Sequence, residues 1–220
     1  MIISFILLFA IFFISRISIQ RLALLLYSVT KSQSITNLFI SVIFFPGTLI
    51  HETAHLVAAL VLLLPVRGMT LIPEWDDQSI KLGHVTYVRK DPIRGILVGI
   101  APLFGGVGIV WLLLQVEWFA TGLIPAVVFW YLMFTISSNM FSSKQDLVDA
   151  IYLIPILLVG ILALYLFGGS IPALVRGGLE LASGYANESQ AFFSQLNKGL
   201  VFSLFVHGIF VGVSLLVAKR

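Results

Sequence analysis

Long apolar stretches separated by short polar breaks run along the whole chain, and their spacing predicts membrane-spanning helices. Residues 2–14 are apolar, Arg16 and Arg21 interrupt, and residues 22–29 are apolar again. That pattern fits one tilted span or a short span followed by an interfacial piece. After a polar break over 30–37, residues 38–64 form a second span. At about 1.5 Å rise per residue, a stretch of this length crosses the roughly 30 Å hydrocarbon core with some tilt. Pro46 and Gly47 lie inside it and are expected to kink or loosen it. Residues 95–114 and 121–136 form the third and fourth spans, with Glu117 and Trp118 in the turn between them. A polar break over 137–144 precedes a fifth span at 147–167. Residues 168–198 read as a linker with an amphipathic helix near 171–181, and residues 200–217 as a sixth span.

Residues 65–94 are the most polar segment. Two stretches of β-type composition, 69–72 and 81–88, flank the polar stretch 74–79 and predict a small membrane-associated β-hairpin between the second and third spans. The expected fold is therefore an all-α integral membrane protein of about six transmembrane helices, with residues 1–220 forming a single membrane domain.

Composition supports this pattern. Hydrophobic residues are 59% of the 220 and charged residues only 10%. Soluble domains average about 45–50% and about 25%. So few charges cannot cover a water-facing surface, and the lipid bilayer is the expected partner of most of it. The apolar N-terminal stretch has neither a basic n-region nor a small-residue cleavage pattern, which predicts a retained helix. The net charge is +3 and the basic residues are scattered, which argues against a nucleic-acid partner. Six spans place both termini and the loops 65–94 and 137–144 on one side. Of the 13 Lys and Arg, only Arg16, Arg21, Lys31, Arg176 and Lys198 fall on the other, so the hairpin side is expected to face the cytoplasm.

The second span carries the chemistry. His51-Glu52-Thr53-Ala54-His55 is an H-E-x-x-H pattern. Residues four apart share a helix face, so His51 and His55 can direct both imidazoles at one zinc ion. Glu52 lies beside them as the candidate catalytic base for a zinc-activated water. Each ionisable side chain at the centre of a lipid-embedded helix costs about 2.5–3.5 kcal/mol, and three of them fall here within five positions. With no cysteine in the chain, any third ligand must be His, Asp or Glu. The strongest candidate is Asp146, which opens the fifth span. Asp149 is one turn further on, His84 falls in the hairpin, and His207 lies deep in the last span as a packed histidine.

With these motifs the chain resembles the site-2 protease family of intramembrane metalloproteases, over about residues 44–150. The resemblance rests on Ile50 to His55 in a membrane helix, on Gly99-Ile-Ala-Pro-Leu-Phe-Gly-Gly106, and on Asn139 followed by Asp146. It implies a metalloprotease core over 38–150, zinc held by His51, His55 and Asp146, and Asn139 as a substrate-binding residue. It also implies a transmembrane or juxtamembrane protein substrate, and an edge strand within 81–88 that pairs with an unwound substrate. The chain departs from the family pattern at Ala101, at Ser142 and Ser143, and at Leu147. Two other readings compete: a catalytically inactive scaffold or regulatory protein that retains the zinc site, and a divalent-metal carrier. Glu52 speaks against both, since neither needs it. With few loops available to form a gate, substrate access is expected to depend on helix movement.

Overall fold

The computed structural model describes residues 2–71, 74–76, 79–81, 83–116, 122–141, 146, 152–166 and 186–218. The element order is α1 (Ile2–Thr30), α2 (Gln33–Val61), β1 (Val66–Thr70), β2 (Glu74–Asp76), β3 (Ser79–Lys81), β4 (His84–Tyr87), α3 (Pro92–Leu114), α4 (Leu123–Asn139), α5 (Leu153–Leu166) and α6 (Ala186–Ala218).

Among the described residues, four helices are long and apolar enough to cross a membrane: Ile3–Thr30, Gln33–Val61, Pro92–Leu114 and Gln190–Leu215. Helix α4 is shorter, at 17 residues, and α5 shorter still, at 14. Large side chains on the outer surfaces, such as Phe9 at 67% and Leu123 at 80% exposure, suit contact with lipid. Helix α1 runs unbroken through Arg16 and Arg21, so the segment is one helix rather than two pieces. Arg16 lies over the ring of Phe12, 4.3 Å from its centroid.

Two expectations need correction. Residues 186–198, read as linker, belong to α6. Asn187, Glu188, Gln190, Gln195 and Lys198 lower the hydropathy but are compatible with a helix. Gln195 accepts a hydrogen bond at 2.8 Å from Gln115 at the end of α3. The polar segment is not one hairpin with a polar loop but a ribbon in two stages. β1 pairs antiparallel with β4, and within that pair β2 pairs with β3, so residues expected to be loop form strands. Glu117, Trp118, residues 171–181 and the C-terminal Lys219 and Arg220 lie outside the described residues.

Core packing follows the helix faces. Ile11 of α1, Val110 of α3, Phe129 and Met133 of α4, and Leu196 and Leu200 of α6 form one buried cluster. Ala23, Ile40, Phe44 and Phe134 form a second. Ala59, Leu64 and Val98 form a third, against which Val66 and Tyr87 seat the base of the ribbon. Helix α3 starts at a capped turn. Asp91 accepts from the Arg94 amide at 2.9 Å, and Pro92 occupies the first helical position, where its missing N–H costs nothing.

Lipid offers little hydrophobic drive for helix association, so close packing and interhelical hydrogen bonds set the arrangement. Helix α2 shows both. Pro46 lies inside it and cannot donate to the carbonyl of Val42 four residues earlier. Tyr131 of α4 bonds at that break, its hydroxyl lying 3.2 Å from Val42 O and 2.9 Å from Ile43 O. The next residue, Gly47, lies against the α4 backbone, where a Cβ would come within 2.6 Å of the Thr135 carbonyl carbon. Tyr131→Phe should therefore destabilise the protein by about 1–2 kcal/mol, the upper range for interhelical hydrogen bonds in membranes. Denaturation in mixed micelles with increasing SDS checks this, and an unchanged midpoint would remove Tyr131 from the account of how α2 and α4 are held together.

Candidate metal centre

Helix α2 brings His51, Glu52 and His55 to the interior side of the bundle. Glu52 is 4% and His55 5% exposed, and His51 is partly buried. Asp146 reaches the same point from beyond α4. Its Oδ1 is 3.5 Å from His55 Nε2, its Oδ2 is 3.8 Å from His51 Nε2, and the two Nε2 atoms are 3.2 Å apart. His51, His55 and Asp146 each offer a ligand atom, all within 4.8 Å of one another. Three ligands about 2.0–2.2 Å from one tetrahedral cation are spaced about 3.3–3.6 Å apart. The observed spacing fits.

The outer ring nitrogens fix the electronic state of the cluster. His51 Nδ1 donates to the Asn139 carbonyl, and His55 Nδ1 donates to the Val98 carbonyl at 2.8 Å. A carbonyl only accepts, so in the neutral rings both protons sit on Nδ1. Both Nε2 lone pairs then point at the same place as the Asp146 carboxylate. With both rings neutral, the two Nε2 atoms and the Asp146 carboxylate form a donor set that a cation can bridge.

Both carbonyls are available for a backbone reason. Val98 lies four residues before Pro102 of α3, and proline has no N–H to donate to it. Asn139 is the last residue of α4, where terminal carbonyls have no partner within the helix. That helix end carries partial negative charge, which favours a cation beside it. Sequence reasoning did not pick out Val98 or the Asn139 main chain, because a carbonyl acceptor leaves no mark in side-chain type. A proline inside an apolar span is the signal that would have found Val98, since it frees the carbonyl four residues upstream.

Glu52 is not one of the converging groups. Its Oε2 is buried and accepts no hydrogen bond from any described residue. The ribbon covers it. A Cβ on Gly83, just before β4, would lie 3.0 Å from Glu52 Cγ, 2.8 Å from Thr70 O and 3.1 Å from Thr48 Cγ2. Only a residue without a side chain lets the ribbon lie this close to the carboxylate. Thr48 is buried one turn before Glu52 and completes its surroundings.

The remaining candidates separate cleanly. The Asn139 side chain turns back on its own helix, Nδ2 donating to Thr135 O at 2.9 Å, so its contact with the cluster runs through the main chain. His84 opens β4, half-buried, and is not one of the cluster's ligands. His207 is fully buried in α6, 3.2 Å from Ser138 Oγ, as a packed interhelical histidine. Asp149, Leu147, Ser142 and Ser143 lie outside the described residues. No family model, no curated protein and no solved structure matches this chain.

Proposed function

We propose that this chain is a zinc-dependent intramembrane endopeptidase, a divergent relative of the site-2 proteases, acting on transmembrane or juxtamembrane protein substrates. The observation that carries it is the pairing of a converging His51, His55 and Asp146 cluster with a buried Glu52 oxygen that has no hydrogen-bond partner among the described residues. Two neutral imidazoles and one carboxylate are the donor set of a catalytic zinc site, which keeps a position open. Among the described residues no fourth His, Asp or Glu joins the cluster, which favours an open site over a closed structural one. Zinc held there supplies a Lewis acid that activates water and polarises a peptide carbonyl.

The protein's own groups do the rest. His51 and His55 keep their Nε2 lone pairs inward because Asn139 O and Val98 O hold their Nδ1 protons. Glu52 takes the proton of the attacking water and returns it to the leaving nitrogen as the peptide bond breaks. Among the described residues β4 pairs only with β1, which leaves its other edge as the candidate place for an added strand. That edge begins beside Gly83, over Glu52, where a substrate in extended form would bring its backbone to the carboxylate. Asn139, at the rim of the cluster, contacts that substrate. The site lies toward the cytoplasmic side of a multi-pass protein, on the side richer in Lys and Arg.

Metal removal tests the proposal. The detergent-purified protein should hold close to one zinc per chain and cleave a transmembrane peptide. Chelation should stop cleavage, and added zinc should restore it. A preparation without zinc, or cleavage indifferent to chelation, would overturn the proposal.

A further inference from the structure

Among the described residues α6 contributes no ligand, yet its polar side chains converge on the turn of α4 that supports His51. Ser137, Ser138, Ser203 and His207 are all buried between the two helices. The α4 serines have committed their protons to their own helix. Ser137 donates to Met133 O at 2.7 Å, and Ser138 to Phe134 O at 2.5 Å. Each can then only accept from α6. Ser203 donates to Ser137 Oγ, and His207 Nε2 donates to Ser138 Oγ at 3.2 Å. Ser203 and His207 are four apart, on one face of α6, and meet consecutive residues of α4. The His207 ring also packs on Phe134, 4.7 Å between centroids, and Phe210 stacks on the same phenyl at 5.2 Å.

Packing alone does not call for a histidine here. A leucine would fill the space without burying His207 Nδ1, which has no partner among the described residues. An ionisable residue within a span is costly, so the Nε2–H donor is the feature that distinguishes it. The residue after Ser138 is Asn139, whose carbonyl holds His51.

We propose that Ser203 and His207 are positioning residues for the metal cluster. They fix the rotation and height of the last turn of α4, so that the Asn139 carbonyl stays on His51 Nδ1 and the His51 Nε2 lone pair stays aimed inward. The proposal rests on the metal-site reading above, but not on peptidase activity.

Chelator competition gives the zinc affinity of the wild type and of Ser203→Ala, His207→Leu, His207→Gln and Leu200→Ala. Leu200 is a fully buried α6 residue with no hydrogen-bonding side chain and controls for general loosening. Loss of supports outside the ligand set typically weakens binding about 10–100-fold. Ser203→Ala and His207→Leu should fall near the lower end, about tenfold. His207→Gln, which keeps an N–H donor, should recover most of the loss. Leu200→Ala should lower thermal stability and leave affinity unchanged. In the metal-free protein, ¹⁵N-histidine NMR should show the hydrogen-bonded His51 Nδ1 proton in the wild type and Leu200→Ala, and its displacement in His207→Leu. An unmoved His51 proton in His207→Leu overturns the proposal. So does a zinc loss in Leu200→Ala equal to that in His207→Leu. A wild type that binds no zinc overturns the proposed function, while the metal-free spectra still decide the positioning.

Discussion

Glu52→Gln should leave zinc bound at the wild-type ratio and lower kcat by about 10²–10⁴-fold, the range a positioned general base contributes. The two side chains have nearly the same shape, so the ribbon over Glu52 is not disturbed. The amide cannot take a proton from water. Because Glu52 is not one of the three converging groups, metal content is not expected to change. KM should move little, since the lost interaction belongs to the transition state. The check is zinc per chain and single-turnover cleavage on the same preparation. Loss of zinc in Glu52→Gln would make Glu52 a ligand and turn the site into a closed, structural one. Retained cleavage would remove it from the chemistry.

Asp146→Ala should weaken zinc binding by more than the roughly 10–100-fold typical of a lost outer support, because it removes a direct ligand. Only the two Nε2 atoms, 3.2 Å apart, would remain. His55→Ala should do the same with an added penalty. It also strips the Val98 carbonyl of its 2.8 Å donor, beside a proline that cannot replace it. A buried carbonyl left without a partner costs about 1–3 kcal/mol. His55→Ala should therefore be less stable than Asp146→Ala even when both are metal-free. Equilibrium competition for zinc, with unfolding of the stripped proteins, separates the two effects. Zinc retained in Asp146→Ala would pass the third ligand to Asp149. Equal stability of the two variants would mean that the His55–Val98 bond carries no weight.

The sequence made the main helices legible because burial in lipid demands long apolar runs, and α2 and α3 followed that rule closely. It failed where polarity and helicity part company. The start of α6 is polar enough to look like linker, yet nothing in residues 186–198 breaks a helix. The ribbon was legible as β structure from its β-branched residues. Its inner pair was hidden because Glu74, Asp76 and Ser79 are loop-like in composition, and pairing overrides such weak preferences. At the site, side chains with ligand chemistry could be read directly, and the structure brings Asp146 beside His51 and His55. What could not be read were the main-chain acceptors and the glycine beneath which Glu52 sits. Two prolines held that information: Pro46 and Pro102 each mark a carbonyl that another helix uses.

The supports of the two histidines also order events at the ribosome. His51 leaves the translation machinery long before its partners do. Val98 follows 43 residues after His55, and Asn139 follows 88 residues after His51. Asp146 comes seven residues after Asn139. At about 5–20 residues per second, the nascent α2 waits roughly 5–20 s before its last ligand is made. His55 has no anchor for its Nδ1 proton until Val98 is made, and His51 none until Asn139 is made, so the two rings become fixed in tautomer and direction one after the other. A cation could be held by all three ligands only once Asp146 has been made and α3 and α4 have docked, so metal capture would follow the assembly of these helices rather than nucleate it.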